Sequence, residues 1–344
     1  MFELKSKNLI ELEQFVTDAG FSKFRAKQIF EWMIKGVREF EQMKNLPKDL
    51  IAYLKENAVL SLLTVEEKFV SKIDGTVKYL FRLNDGNYIE SVVMEYHHGH
   101  TICVSSQVGC RMGCSFCQST KGGKIRDLSA GEILDQILYA NFDLGISIHN
   151  IVMMGIGEPL DNFENVIAFL KLVNDPLGLQ IGYRHISLST CGVVPGVEKL
   201  ASYNLPITLS VSLHAPFDNI RSKMMPINKK YNINCLLSAC KQYQNTTGRR
   251  ISYEYTLVRG VNDSEKCARQ LITLLKGTLC HINLIPVNKI DDGIYDPSER
   301  EAIYKFQKLL NDGGLNATIR RTLGSDIAAS CGQLRSKKMK EVVK

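Results

Sequence analysis

The sequence predicts an α/β fold: a partial (β/α)6 barrel that follows an N-terminal helical region and a β-meander. From about residue 100 onward, strand-like apolar runs alternate with helical segments, a pattern typical of a parallel sheet. Six such units, rather than eight, favour an incomplete barrel. Polar and unusual residues follow the ends of these runs, which is where barrels of this kind carry their chemistry.

The first part of the chain is predicted to form an N-terminal helical accessory domain over residues 1–62. Leu9, Leu12 and Val16 recur at helical spacing, and a second apolar set with the same period follows them. Residues 63–98 alternate between apolar and polar side chains and contain two Asp-Gly turn signals. This segment is therefore predicted to be a β-meander that links the helices to the barrel.

The barrel itself is assigned to residues 99–325, and residues 326–344 form a C-terminal loop and basic tail. A capping box at Ser129 and Glu132 predicts the start of the first barrel helix. The strand-like runs lie at 101–106, 149–154, 185–190, 207–214, 251–258 and 280–287, with a short final strand at 317–322.

Bulk composition limits the class of protein. The 344 residues are 44% hydrophobic and 23% charged, as in an ordinary soluble globular protein. The N-terminus has no apolar signal region and no run approaches a membrane span, so we expect a cytoplasmic protein without a membrane partner. Nothing suggests an obligate oligomer, and we expect a monomer. The net charge of +7 favours a polyanionic partner.

Three cysteines on one short segment are the most informative feature. Cys110, Cys114 and Cys117 form a CxxxCxxC motif. Three thiolates can hold three irons of a [4Fe-4S] cube and leave the fourth iron free to bind a small molecule. A zinc site would need a fourth ligand, and a disulfide framework is disfavoured in a chain of this size without a signal peptide. The spacing resembles that of the radical S-adenosylmethionine superfamily.

Polar residues at the strand ends form a second group of candidates. The glycine-rich run at 155–159 allows close approach of a ligand to the backbone and resembles the "GGE" motif of that superfamily. Further candidates for contacts to the cofactor's ribose, carboxylate and adenine are Ser189, Ser212, His214 and Asn288. A single polar residue at a strand end more often has a structural role, with its hydrogen bonds made within the protein. Because all four lie at strand ends, their shared position favours a common site.

Two further cysteines stand in unusual settings. Cys331 lies among small residues in a segment that suits either an inert packing thiol or a mobile loop delivering a nucleophile. Cys103 lies on the first barrel strand, where a second thiol would allow disulfide exchange. The cysteines interpreted as packing residues are Cys191, Cys235, Cys240, Cys267 and Cys280.

Taken in order, these segments resemble the RlmN/Cfr family of radical S-adenosylmethionine RNA adenine methyltransferases. The likeness extends from about Phe21 to Leu334. Besides the cysteine motif, the segments that carry it are Cys-Val-Ser-Ser-Gln-Val-Gly-Cys at 103–110, Met-Gly-Ile-Gly-Glu-Pro-Leu at 154–160, Ser-Leu-His-Ala-Pro at 212–216, Asn-Leu-Ile-Pro at 283–286 and Ala-Ala-Ser-Cys-Gly-Gln-Leu at 328–334.

The resemblance implies a role for each matching residue. The cluster ligands would be Cys110, Cys114 and Cys117, and the cofactor would be bound by Gly157, Glu158, Ser189, Ser212, Leu213, His214 and Asn288. Two S-adenosylmethionine molecules would serve each turnover. One would methylate Cys331, and the second would give a 5′-deoxyadenosyl radical that takes a hydrogen atom from this methyl group. Cys103 would release the product by forming a disulfide with Cys331. Glu90 would be the general base, although by itself it is better interpreted as an exposed strand carboxylate.

The resemblance also implies the substrates. The carbon 2 branch methylates adenine in 23S ribosomal RNA and adenine 37 of some transfer RNAs; the alternative is the Cfr branch, which methylates carbon 8 and confers antibiotic resistance. Departures from the family pattern occur at Gln118, Lys289 and Ala328. Flavodoxin or ferredoxin is the expected electron donor. RNA is predicted to bind to the N-terminal helical domain, residues 1–62, and to a set of basic groups. The groups predicted to meet RNA phosphates are Lys121, Lys124, Arg126, Arg320, Arg321 and the tail residues Arg335, Lys337, Lys338 and Lys340.

Two other functional classes remain open on the sequence alone. A radical enzyme of the same superfamily that never methylates, such as a maturase, would not need Cys331. A non-catalytic RNA-binding module with a structural metal would need neither the cluster chemistry nor the cofactor. Anaerobic reconstitution and replacement of Cys331 distinguish the three classes.

Overall fold

The structure is a computed structural model that describes residues 1–288, 290 and 293–334. Its strands are β1 (Phe2–Glu3), β2 (Ala58–Val59), β3 (Leu63–Val70), β4 (Val77–Leu83), β5 (Tyr88–Tyr96), β6 (Gly99–Cys103), β7 (Gln107–Gly109), β8 (Lys124–Asp127), β9 (Ile148–Met153), β10 (Ile186–Thr190), β11 (Thr208–Ser212), β12 (Ile251–Leu257), β13 (Cys280–Pro286) and β14 (Ala317–Ile319). Its helices are α1 (Leu9–Asp18), α2 (Phe24–Ile34), α3 (Lys48–Asn57), α4 (Ala130–Leu144), α5 (Phe163–Asn174), α6 (Val194–Ser202), α7 (Asp218–Met224), α8 (Ile233–Thr247), α9 (Glu265–Leu275) and α10 (Arg300–Asp312).

One large sheet organises the molecule, and it confirms the predicted α/β fold. Its strand order is β14-β13-β12-β11-β10-β9-β6-β5-β4-β3, and every pair from β6 to β14 is parallel. Helices connect the successive parallel strands, as parallel pairing requires. The strands are rich in buried aliphatic residues, because in such a fold both faces of the sheet are covered. The loops that follow the parallel strands therefore lie at one common edge.

The predicted β-meander is present as β3, β4 and β5, and it continues the barrel sheet. Antiparallel pairing joins β5 to β6, with Val92 opposite Cys103 and Met94 opposite Thr101. The sequence pattern described this segment as a linker, but the hydrogen-bonded register makes it an extension of the sheet. The domain boundaries given above stay predictions.

The N-terminal region contacts the barrel through buried ion pairs made by residues that flank its first two helices. Lys5 Nζ lies 2.5 Å from Asp135 Oδ1 on α4, and both side chains are fully buried. Arg38 reaches the same carboxylate at 2.7 Å. Burial lowers the pKa of Lys5, and the charge of Asp135 opposes this shift. These contacts fix the position of the helical region relative to α4. Within the described part of the chain, no helix has the length and apolar character needed to cross a membrane.

Candidate active site

A cavity of about 150 Å³ opens at the carboxyl-terminal edge of the parallel strands. Its wall brings together most of the residues that the sequence singled out, although they are distant along the chain. The predicted site residues in this wall are Cys110, Cys114, Cys117, Gly157, Glu158, Ser189, Ser212, His214, Asn288 and Cys331. A shared edge of parallel strands explains this convergence. Leu213, Cys103 and Glu90 do not line this cavity.

Gly109 shapes the entry into the segment that carries the cysteine motif. Its φ of 73° lies in the left-handed region, and a Cβ there would overlap the carbonyl oxygen of Gly123. That same oxygen accepts a hydrogen bond of 2.9 Å from the backbone N–H of Cys110. The chain therefore turns sharply at glycine and presents Cys110 to the cavity.

Of the three motif thiols, Cys110 and Cys114 are buried and Cys117 is half-buried. Burial raises the pKa of Cys110 to about 12 and also raises the pKa values of Cys114 and Cys117. Nearby iron ions would supply the positive charge that such thiolates need. Across the described ranges, no three His, Cys, Asp or Glu side chains converge on a single metal ion. The assignment of Cys110, Cys114 and Cys117 as cluster ligands stays a prediction.

Gly157 and Glu158 build the second strand-end loop. Gly157 has a φ of 112°, and a Cβ on it would lie 2.7 Å from the Cβ of Gln107, which only glycine avoids. The Glu158 carboxylate accepts hydrogen bonds from the backbone N–H groups of Leu160 at 3.1 Å and Cys191 at 2.7 Å. Burial raises the pKa of Glu158, and these donors oppose the shift. Glu158 thus ties two strand-end loops together at the cavity wall.

His214 is neutral and has a defined tautomer. Burial, together with the positive charge of Arg221, lowers the pKa of His214 to about 3. The backbone N–H of Thr256 donates to His214 Nδ1 at 2.9 Å, so the ring proton is assigned to Nε2. Phe116, from the cysteine loop, packs edge-on against the ring at 4.7 Å between centroids. His214 can therefore offer one N–H donor to a ligand in the cavity.

Arg221 is a residue that the sequence analysis missed. It is fully buried, and its guanidinium donates to the carbonyl oxygens of Leu213, Ser212 and Cys191 at 2.8–3.0 Å and to Asn228 Oδ1 at 2.9 Å. It therefore fixes the ends of β10 and β11 beside the cavity. The side chain of Leu213 belongs to the core, so only its backbone contributes to this arrangement. No local motif marks Arg221, because its partners come from several loops.

We expect Arg221→Met to lower the free energy of unfolding by about 3 kcal/mol or more, since several buried acceptors would lose a charged donor. Thermal or urea unfolding monitored by circular dichroism measures this change. Arg269→Met is the matched control, because Arg269 is exposed and pairs with Glu265 on the surface of α9. Equal, small effects of the two substitutions would contradict the structural role of Arg221.

The loop that carries Cys331 is held against the cysteine motif. Asn288 Nδ2 donates to the Cys331 carbonyl oxygen at 3.0 Å, and the Gln118 N–H donates to the Gly332 carbonyl oxygen at 2.8 Å. Ser119 Oγ also donates to the Leu334 carbonyl oxygen at 2.8 Å. Asn288, expected as a cofactor ligand, thus also positions the loop. Gln118 and Ser119 lie in the segment where the sequence departs from the family pattern, and both hold this loop.

Cys103 and Cys331 share a smaller cavity of about 40 Å³ next to the first one. Both thiols are free in the structure, so the expected disulfide is not present. Cys103 is buried on β6, and Asn288, which also lines this cavity, holds Cys331 through its backbone carbonyl oxygen. Burial, and then the neighbouring Cys331, raises the pKa of Cys103 to about 12.

Glu90 lies on β5 and is almost completely buried, with 1% of its surface exposed. Its interpretation as an exposed strand carboxylate is therefore wrong. Glu90, Val92 and Met94 alternate along β5, and Val92 lies directly opposite Cys103, so Glu90 is on the face of the sheet that bears this thiol. Burial raises the pKa of Glu90 to about 7. Its role as a general base stays a prediction.

Several cations predicted to meet RNA are engaged within the protein. Arg126 pairs with Asp85 at 2.5 Å and with Glu132 at 2.7 Å, and Lys124 Nζ lies 2.9 Å from Asp161. Arg320 lines both cavities, and its Nη1 lies 3.5 Å from the sulfur of Met154. Glu254, a buried carboxylate in the larger cavity, was also missed by the sequence analysis. Lys289 and the tail cations Arg335, Lys337, Lys338 and Lys340 lie outside the described residues.

Comparison with known proteins gives consistent matches. Residues 104–271 match the Radical SAM superfamily, and residues 2–60 match the ribosomal RNA large subunit methyltransferase N-terminal domain. The chain is 53% identical over 335 residues to a protein of Alkaliphilus metalliredigens named probable dual-specificity RNA methyltransferase RlmN, covering 97% of this chain and 95% of that one. A protein of Clostridium tetani with the same name is 54% identical over 340 residues, covering 99% and 97%.

A solved structure is similar over nearly the whole chain. The radical SAM methyltransferase from Sphaerobacter thermophilus superposes with a TM-score of 0.94 at 41% sequence identity. The match covers 97% of this chain and 99% of that one. The helical region, the antiparallel extension and the barrel are therefore shared as one architecture.

Proposed function

We propose that this chain, which belongs to the RlmN/Cfr family of radical S-adenosylmethionine RNA methyltransferases, methylates carbon 2 of a specific adenine in 23S ribosomal RNA and adenine 37 of some transfer RNAs. One observation carries the proposal. The thiol of Cys331 and the three motif thiols line the same cavity, although more than two hundred residues separate them. The names of the relatives support two classes of RNA substrate.

The cavity wall provides a place for the cofactors. Cys110, Cys114 and Cys117 would hold a [4Fe-4S] cluster, which supplies the electron that cleaves S-adenosylmethionine to a 5′-deoxyadenosyl radical. Cofactor atoms would be bound by the strand-end residues Gly157, Glu158, Ser189, Ser212, Leu213, His214 and Asn288. Neutral His214 would act as a hydrogen-bond donor through Nε2. Glu158 and Leu213 would contribute mainly through backbone groups, since the Glu158 carboxylate is bonded internally and the Leu213 side chain is in the core.

Cys331 would act first as a nucleophile. Its thiolate would take the methyl group of one S-adenosylmethionine, which leaves S-methylcysteine in the cavity. A second cofactor molecule would remove a hydrogen atom from this methyl group, and the resulting carbon radical would add to adenine. Carbon 2 of adenine has no acidic proton, so a polar methyl transfer to it is not feasible, whereas radical addition is.

Release of the product would need a base and a second thiol. After radical addition the ring would lose its carbon 2 proton to Glu90 and return one electron to the oxidised cluster, which together restore aromaticity. The thiolate of Cys103 would attack the sulfur of Cys331 and break its bond to the methylene carbon; this carbon takes up a proton, the methylated base leaves and a disulfide forms. A cellular thiol would then reduce this disulfide before the next turnover.

The partners follow from the same chemistry. A flavodoxin or ferredoxin would deliver the electron, and the enzyme would act as a monomer in the cytoplasm, where ribosomal RNA is made and modified. The target adenine must leave its stack to reach the strand-end edge, so we expect base extrusion. Exposed cations would bind RNA phosphates without reading sequence.

Mass spectrometry of RNA digests tests the proposal. The chain is reconstituted without oxygen and incubated with S-adenosylmethionine, a reductant and either a 23S ribosomal RNA fragment or a transfer RNA. We expect 2-methyladenosine from both substrates. Finding 8-methyladenosine instead would overturn the choice of carbon 2, and cofactor cleavage without RNA methylation would favour a non-methylating radical enzyme. A protein without cluster absorbance or cofactor cleavage would be a binding module.

A further inference from the structure

The loop that carries Cys331 is bound by the turn between β3 and β4, far from it in sequence. The backbone N–H of Gly324 donates to Asp74 Oδ2 at 2.9 Å. Asp326 accepts from Ser71 Oγ at 2.7 Å and from the Lys72 N–H at 2.9 Å. The antiparallel extension of the sheet therefore contacts the loop that carries Cys331 directly.

Lys78, on β4, makes the innermost contact of this support. Its Nζ donates to the Ala328 carbonyl oxygen at 3.2 Å and lies 3.6 Å from Glu90 Oε1. Only 8% of the Lys78 surface is exposed. Lys78 lies opposite Val92, and Val92 in turn lies opposite Cys103, so the ammonium group shares the face of the sheet that bears Glu90 and Cys103. The buried ammonium group of Lys78 thus contacts both the Glu90 carboxylate and the loop that carries Cys331.

We propose that Lys78 is a positioning residue that favours the ionised form of Glu90 and, through Ala328, holds the loop of Cys331 in place. The proposal rests on the proposed function, in which Glu90 is the base and Cys331 carries the methyl group. Three residues upstream of Cys331, Ala328 has a φ of 49°, a conformation that a fixed carbonyl contact helps to maintain.

Electrostatics gives this arrangement a measurable consequence. Burial raises the pKa of Glu90 to about 7, Lys78 opposes this rise, and Glu67 on β3 adds to it. A base must be deprotonated, so the rate should increase as pH rises through this pKa. Without the charge of Lys78 the pKa of Glu90 would rise further, and the acid limb of the pH–rate profile would move to higher pH. Glu90 Oε2 has no hydrogen-bond partner among the described atoms, which leaves it available to a proton.

The test compares Lys78→Met with Lys78→Arg, which keeps the charge, and with Arg82→Met, which removes an exposed cation from the same strand. RNA methylation is measured against pH. Hydrogen–deuterium exchange of residues 324–331 is measured in the cofactor-free chain. For Lys78→Met we expect an alkaline shift of the acid limb by about one pH unit. We also expect exchange in the loop to be faster by about tenfold. The other two variants should show neither change.

The outcomes separate positioning from simple packing. A rate that falls equally at every pH, with an unshifted acid limb, would overturn the effect on Glu90. If hydrogen–deuterium exchange of residues 324–331 were unchanged in Lys78→Met, the contact to Ala328 would not be what holds the loop in place. If the unmodified chain made no methyladenosine, the proposed function would fail. The exchange measurement would then decide the anchoring role by itself.

Discussion

Replacement of Cys331 by serine is expected to abolish RNA methylation while leaving cleavage of S-adenosylmethionine in place. A serine hydroxyl is a far weaker nucleophile toward a sulfonium methyl group than a thiolate, so no S-methyl intermediate would form. The loss should exceed about a thousandfold, as for other catalytic nucleophiles. Labelled methyl transfer into RNA measures the first activity, and chromatography of 5′-deoxyadenosine measures the second. The motif thiols are unchanged in this variant, which is why the second activity should survive.

Cys235→Ser is the matched control for this substitution, because Cys235 is an exposed thiol on α8, outside the cavity. It should retain full methylation. In the unmodified chain, mass spectrometry should find one methyl group on the peptide that contains Cys331. Continued methylation of RNA by Cys331→Ser would place the methyl acceptor elsewhere and would contradict the proposed chemistry.

The barrel could be predicted from the sequence because its signal is local. Each parallel strand is an apolar run buried on both faces, and a helix with its own period follows it. The predicted runs at 149–154 and 251–258 accordingly overlap β9 and β12 to within one residue at either end. The continuation of the meander into the barrel sheet could not be predicted in the same way. Which strand pairs with β5 depends on register, and register is set by packing of the whole sheet.

The residues of the candidate site also form two groups, those that a local sequence pattern predicts and those that it does not. Cys110, Cys114 and Cys117 could be selected as candidate ligands because cluster chemistry needs rare side chains at fixed spacing. Lys78 and Arg221 were missed, because their partners are 250 and up to 30 residues away in the chain and no motif records such contacts. Both are buried cations that satisfy backbone carbonyl groups, a role that appears only once the loops are in place.

Glu90 shows how burial changes the interpretation of one residue. In the sequence it is a carboxylate on a polar-apolar alternating strand, which favours exposure. In the structure Glu90 lies on the face of the sheet that the loop of Cys331 covers. That loop comes from the C-terminal part of the chain. The resulting burial moves its pKa into the range where a base is useful at neutral pH. A local sequence pattern cannot contain this information.

Replacement of Cys103 by serine is expected to trap RNA covalently on the protein. After radical addition, a methylene group joins the sulfur of Cys331 to the adenine ring, and only attack by a second thiolate at that sulfur releases the product. Methylated RNA should fall by at least about a hundredfold. A slowly migrating band that is sensitive to both ribonuclease and protease should appear on a denaturing gel. Mass spectrometry should find the adenine on the Cys331 peptide.

The control variants for Cys103 distinguish loss of the thiol that releases the product from a general effect on folding. Cys240→Ser changes a buried thiol on α8 outside both cavities and should give no trapped RNA. The double substitution of Cys103 and Cys331 should also give none, because the link to RNA requires the sulfur of Cys331. Free turnover by Cys103→Ser without any adduct would exclude Cys103 as the resolving thiol.

The pH dependence of release gives a second check on Cys103. Burial raises its pKa to about 12, so at neutral pH the reactive thiolate is a small fraction of the total. At pH values below the pKa, the thiolate fraction increases about tenfold for each unit by which the pH rises. Decay of the adduct in the unmodified chain should therefore become faster as pH rises from neutral. Rapid-quench gels over a range of pH measure this decay. A decay rate independent of pH would mean that the thiolate of Cys103 is not formed by simple ionisation before it attacks.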